Sequence, residues 1–144
     1  MDIKKKINTY FRKEEQGLTS SIIKLLEQEG FRPEMSEECI CFKYERCLMY
    51  IALDKKDSTF ARIVLPRFFE IDKTNKNKAN RIVNQLNARY KFAFLVIENE
   101  EISSLADIYI TPENIGSALF RIINITKDII RDFYEEMNKQ FSDN

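Results

Sequence analysis

The chain has 144 residues, 44% hydrophobic and 32% charged, with 23 basic and 23 acidic side chains. That length and apolar content suit one domain over residues 1–144 with a buried core, and exclude a disordered, highly charged polymer. The charges also balance locally, at 13 basic and 13 acidic in residues 1–72 and 10 of each in 73–144, so net charge provides no steering toward nucleic acid or anionic lipid.

The first periodic stretch predicts a helix over residues 4–30, with Ile7, Tyr10, Phe11, Leu18, Ile22, Leu25 and Leu26 recurring at roughly helical spacing. Gly17 weakens its middle. Gly30 stands where a left-handed C-cap belongs, and Pro33 stops further helix. Three strands follow, ECICFKY at 38–44, CLMYIALD at 47–54 and TFARIVL at 59–65, the last with an extension through Phe68, Phe69 and Ile71. Lys55, Lys56, Asp57 and Ser58 form the turn between the second and third. The first turn is Glu45-Arg46, which lacks the Asn-Gly or Asp-Gly chemistry preferred there. A two-residue turn pairs 44 with 47 and 41 with 50. Side-chain alternation then sets Phe42, Tyr44 and Met49 on one hairpin face, and Leu48, Tyr50 and Ala52 on the other. A turn one residue longer reverses that facing. Pro66 is expected to end the ladder, because it has no N–H to donate.

Residues 75–90 predict the second helix, with Ala79, Ile82, Val83, Leu86 and Tyr90 as its buried stripe and Asp72 or Thr74 as its cap. KFAFLVI (91–97) and SLADIYI (104–110) then form a hairpin through an acidic turn at Glu98–Glu101. Thr111 as N-cap and Pro112 at the first helical position open the last helix, predicted over 112–141. Its apolar arc is wide, with Ile122, Ile123 and Ile125 pointing in different directions. One side is expected on the sheet, and the other against a second helix or a second subunit. The order α-β-β-β-α-β-β-α predicts an α+β fold, a mainly antiparallel five-stranded sheet packed with helices, without parallel βαβ units.

This element order, together with ANRIVNQLNARYKFAFLVIENEEISSLADIYITPENI, resembles the YbjN family of bacterial sensory transduction regulators, which share the broader fold of type III secretion chaperones. Leu86 and Asn87 match the leucine-asparagine signature that precedes the hairpin in that family; Glu98-Asn99-Glu100-Glu101 stands where many members carry an acidic-glycine turn. The resemblance implies a small cytoplasmic protein, homodimeric, that binds or protects another polypeptide. It carries over no catalytic residue and no cofactor.

The residues themselves exclude much chemistry. The absence of histidine removes Ser-His-Asp triads, Cys-His nucleophiles and histidine metal ligands. Cys39, Cys41 and Cys47 read as small hydrophobes in strands; the competing metal or redox reading needs all three thiolates to converge with a fourth ligand. No stretch reaches the roughly 20 apolar residues that span a bilayer, and no apolar core follows the early lysines, so the cytoplasm is the expected location.

Three surfaces remain. Lys73, Lys76, Lys78, Arg81, Arg89 and Lys91 form a basic run that reads first as a solvated helix face, then as a protein-partner face, and last as a contact for phosphates. Asn87 has a structural reading, its amide bonding loop backbone at the entry to strand 91–97. Leu48, Tyr50, Phe60, Phe92 and Phe94 belong to an aromatic surplus beyond what one stripe needs, and are the candidate protein-binding surface. If the first and third helices cover opposite sheet faces, that surplus becomes core instead. The sequence therefore favours a non-catalytic binding or regulatory module. The alternatives are a homodimeric scaffold and a nucleic-acid accessory protein using the 73–91 face.

Overall fold

The computed structural model describes residues 17–54, 56 and 59–140. Helix α1 occupies 17–28 of these, and the predicted residues 4–16 of that helix, Tyr10 and Phe11 among them, lie outside the described residues. Its end follows from Gly30, whose φ of 92° lets its own N–H reach the Glu27 carbonyl while the Phe31 N–H reaches Leu26. Those two bonds form a Schellman cap.

Six strands follow the turn. They are β1 (Glu34–Ser36), β2 (Cys39–Tyr44), β3 (Cys47–Leu53) and β4 (Phe60–Glu70), then, after helix α2 (Lys76–Arg89), β5 (Ala93–Glu98) and β6 (Glu101–Tyr109). Helix α3 (Ile115–Asn138) closes the order. All strand pairs are antiparallel, in the spatial order β1-β2-β3-β4-β6-β5. The sheet thus has six strands where five were predicted. The extra one, β1, is a three-residue edge strand exposed throughout, so it carries no apolar alternation to reveal it.

The β2–β3 hairpin has the predicted register, with Tyr44 opposite Cys47 and Cys41 opposite Tyr50. Glu45 and Arg46 both take positive φ, 48° and 71°, so the two-residue turn forms with the required twist despite its residues. Of the predicted turn after β3, only Lys56 is among the described residues, its N–H bonded to Asp54 Oδ1 at 2.7 Å. Pro66 interrupts the ladder without ending the strand. The register shifts between Leu65 and Phe69, and Arg67 adopts a φ of 49° with its N–H on Ser103 Oγ at 2.9 Å. Pairing then resumes at Phe69–Ile102, so the missing N–H is absorbed in a bulge.

The core lies on one face of this sheet. Ile40, Ile51, Ile63, Ala106 and Ala93 form one buried cross-strand row, beside which α1 contributes Ile22 and Leu26, α2 Ile82 and Leu86, and α3 Leu119, Ile122, Ile129 and Phe133. Every strand residue in this core points to the same side, so the alternative of helices on opposite faces does not hold among the described residues. Phe68 and Phe69, in the predicted extension of the third strand, are used here: their rings meet Phe133 at 5.5 and 4.9 Å.

Both later helices begin by the same device. At the entry to α2, Asn75 Oδ1 accepts the Asp72 N–H at 2.8 Å and its Nδ2 donates to the Glu70 carbonyl; at α3, Asn114 Oδ1 accepts the Thr111 N–H at 2.7 Å and its Nδ2 donates to Tyr109. The regular helices begin after Asn75 and Asn114, whose side chains make no cap bond into their own helices. Their oxygens accept instead from the N–H three residues earlier, as the third residue of a capping box does, so at α3 the predicted cap Thr111 is held through its backbone. Of the two predicted caps for α2, Asp72 fills the role: its carboxylate accepts from the Thr74 hydroxyl and from the Thr74 and Asn75 N–H groups, and its carbonyl accepts the Lys76 N–H at 3.1 Å.

Candidate functional site

The other sheet face carries a second apolar row. Glu34, Cys41, Tyr50, Val64, Leu105 and Phe94 are consecutive cross-strand partners from one sheet edge to the other. At the usual strand spacing the row is about 24 Å long. All its members after Glu34 are half-buried, as expected for large side chains shielded only by each other on an open face. Leu48 stands beside it at 38% exposure, and Phe60 meets Tyr109 edge-to-face at 5.1 Å.

One ion pair crosses this face. Arg62 Nε and Nη2 donate to the two Asp107 oxygens at 2.6 and 2.8 Å, and the guanidinium lies 5.9 Å from the Phe94 ring centroid. The hydrogen bonds to Asp107 raise the Arg62 pKa above its ordinary value. The pair thereby answers its own charge within the face.

Of the five candidate binding residues, the structure brings four together: Leu48, Tyr50, Phe60 and Phe94 share this face. Phe92 stands apart. It precedes β5, with a φ of 70° and a ring 66% exposed, at the mouth of a groove between the start of β5 and the first half of α3. Tyr109, at the end of β6, touches both regions.

The basic run is divided rather than gathered. Lys73 precedes α2, while Lys76 and Arg81 lie exposed on it. Lys78 caps α3: its Nζ donates to the Met137 and Lys139 carbonyls at 2.7 and 2.8 Å, satisfying acceptors the helix end leaves open. Arg89 and Lys91 line the groove beside Phe92. Arg121 of α3 joins them there; sequence reasoning had not singled it out, because it lies thirty residues beyond Lys91 with no shared periodicity.

Leu86 is fully buried. Asn87 bonds strand β5 itself rather than the loop before it: Nδ2 donates to the Leu95 carbonyl at 3.0 Å and Oδ1 accepts the Leu95 N–H at 2.7 Å. β5 is an edge strand, so this amide occupies backbone groups that a neighbouring strand would otherwise take. Cys39 and Cys41 are half-buried on the outer face, while Cys47 is exposed on the opposite one. No group of three or more metal-ligating side chains forms among the described residues, and no helix there is long and apolar enough to cross a membrane.

No protein-family model and no curated protein sequence matches the chain. Solved structures do. YbjN from E. coli, a proposed transcription regulator, superposes with a TM-score of 0.57 at 12% identity, over 83% of this chain and 90% of that one. An uncharacterized protein from Methanothermobacter thermautotrophicus superposes at 0.56 and 10% identity, over 84% of this chain and 99% of that one. The chain has the fold of these proteins, an antiparallel sheet with flanking helices. The resemblance to YbjN noted in its element order thus extends to three dimensions as a likeness of fold.

Proposed function

We propose that this chain is a non-catalytic protein-binding module with a regulatory role, and that its binding face is the outer face of the sheet. The supporting observation is the row from Cys41 to Phe94, an apolar surface crossing the sheet with no helix of the described residues packed on it. Burying such a row contributes affinity at roughly 25 cal/mol per Å² before the costs of ordering, and patches of this kind mark contact surfaces on soluble proteins. The occupant is an apolar segment of another polypeptide. The fold shared with YbjN agrees with a regulatory role without assigning a client.

A second copy of the chain is the other reading. It is favoured by the Arg62–Asp107 pair, which leaves the centre of the face without an unanswered charge and hence suited to a self-complementary, two-fold contact. The test is the double variant Tyr50→Ser with Leu105→Ser. It is expected to abolish partner capture, or dimer formation in sedimentation, while leaving circular dichroism and the urea midpoint nearly unchanged. Global unfolding of that variant would identify the row as core and defeat the proposal.

A further inference from the structure

The groove between the β5 entry and α3 is a second surface, distinct from the sheet face. Its volume is about 950 Å³. The floor is apolar: Ile122 is buried there, and Ile125, which packs in part against the core, is half-buried and also faces the groove. Three exposed cations, Arg89, Lys91 and Arg121, stand around it, and none is held by an ion pair with a described residue. The carboxylate in the lining, Asp132, is already engaged: it accepts the Tyr90 hydroxyl and lies 3.6 Å from Arg131. Burial, and then this carboxylate, raise the Tyr90 hydroxyl pKa well above its ordinary value, which keeps it a donor committed to Asp132.

Phe92 supplies an independent pointer. It is the one apolar side chain among the described non-glycine residues with positive φ; the others, Glu37, Glu45, Arg46, Arg67, Asn99 and Glu100, are polar. A bulky ring in the left-handed region is strained, and its exposure to water adds a second unfavourable term. Its carbonyl accepts the Asp107 N–H at 3.2 Å, so the strained conformation is anchored to β6. Strain that presents an oily ring beside a cationic rim is of the kind found at ligand contacts.

We propose that this groove binds an acidic amphipathic segment of another protein, with apolar side chains on the Ile122–Ile125 floor and against Phe92, and carboxylates toward Arg89, Lys91 and Arg121. Charge complementarity selects the occupant: an apolar floor alone admits any hydrophobe, and three unanswered cations favour one whose flanks are anionic. A nucleic acid would satisfy the cations and leave the floor unused.

The probe is a fluorescein-labelled peptide with leucines at helical spacing and glutamates flanking them, compared with a counterpart carrying lysine at each glutamate, both followed by anisotropy with the full chain. The glutamate peptide is expected to bind, more weakly as salt rises, and the lysine peptide not to bind. Arg121→Glu is expected to weaken the glutamate peptide about tenfold or more and to create binding of the lysine peptide. Phe92→Gly removes the ring and accommodates the positive φ, so binding falls about tenfold without a lower urea midpoint. If Arg121→Glu does not fold, the surface pair Arg89→Glu with Lys91→Glu carries the same expectation. Equal binding of the two peptides, binding of neither, or unchanged binding in the folded charge variants overturns the proposal. Tyr50→Ser with Leu105→Ser retains peptide binding here, so failure of the groove and failure of the sheet-face reading are separable.

Discussion

The two faces of the sheet carry similar side chains and do different things with them. On the inner face Ile40, Ile51 and Ile63 sit at 2%, 1% and 0% exposure under three helices, and Phe133 from α3 locks against Phe68 and Phe69. One residue along each strand, Cys41, Tyr50 and Val64 form an equally continuous row, half-buried and with no helix of the described residues packed on it. Alternation sorts these residues into two rows, because a side chain's neighbour in sequence points to the opposite face, but it does not decide which row is core. What separates the faces is helix coverage, which is a property of tertiary packing. Apolar character is therefore a poor guide to burial here; the layer above each face is the deciding fact.

The sharpest way to break this contrast is to truncate one ring on each side. Phe133→Ala leaves a cavity among Phe68, Phe69 and the α3 core, and is expected to cost about 3–5 kcal/mol in urea unfolding. Tyr50→Ser on the outer face is expected to cost less than about 1 kcal/mol. Equal losses would mean that both faces are core.

A smaller effect sharpens the comparison at the sheet edge. Asn87→Ala removes both bonds to Leu95, and a loss of about 1–2 kcal/mol is expected from two backbone groups deprived of their partner. Concentration-dependent association should rise at the same time, since β5 then offers those groups to another strand. A variant as stable and as monodisperse as the wild type would show that the amide does not guard the edge.

The smallest expected effect lies at the exposed approach to α2. The Thr74 hydroxyl, then the Asn75 and Thr74 N–H groups, hold the Asp72 carboxyl below its ordinary value of 3.8. A depressed folded-state pKa means that the contribution is present above the unfolded value and is lost as pH falls through the folded one. Asp72→Ala should accordingly lower the Tm slightly at neutral pH, and the gap from wild type should close below the carboxylate range. A gap independent of pH would assign the effect to the turn geometry rather than to charge.

Much of this arrangement was legible in the residues. The hairpin facing of Phe42 and Met49 against Leu48 and Tyr50 followed from a two-residue turn, and Gly30 marked the end of α1. β1 was invisible because Glu34–Ser36 buries nothing, and Pro66 read as a terminus because a bulge that absorbs its missing N–H depends on the partner strand. The start of α2 lies one residue from its predicted place, 76 against 75, and that of α3 three residues on, 115 against 112, where the turn that Asn114 closes onto Thr111 and Tyr109 precedes the regular helix. The groove was least legible. Its cations come from both sides of the β5–β6 hairpin, and among the groove's lining on α3 only the divergent direction of Ile125 marked a side chain not confined to the buried stripe.

The most direct test replaces Tyr50, and separately Asn84 on the exposed side of α2, with a photo-cross-linking benzoylphenylalanine in living cells. Irradiation is predicted to join position 50, and not position 84, to a polypeptide, either a second copy or a different chain, in a discrete product. The absence of any product at position 50 with the protein folded, or the same products from both positions, would contradict the account.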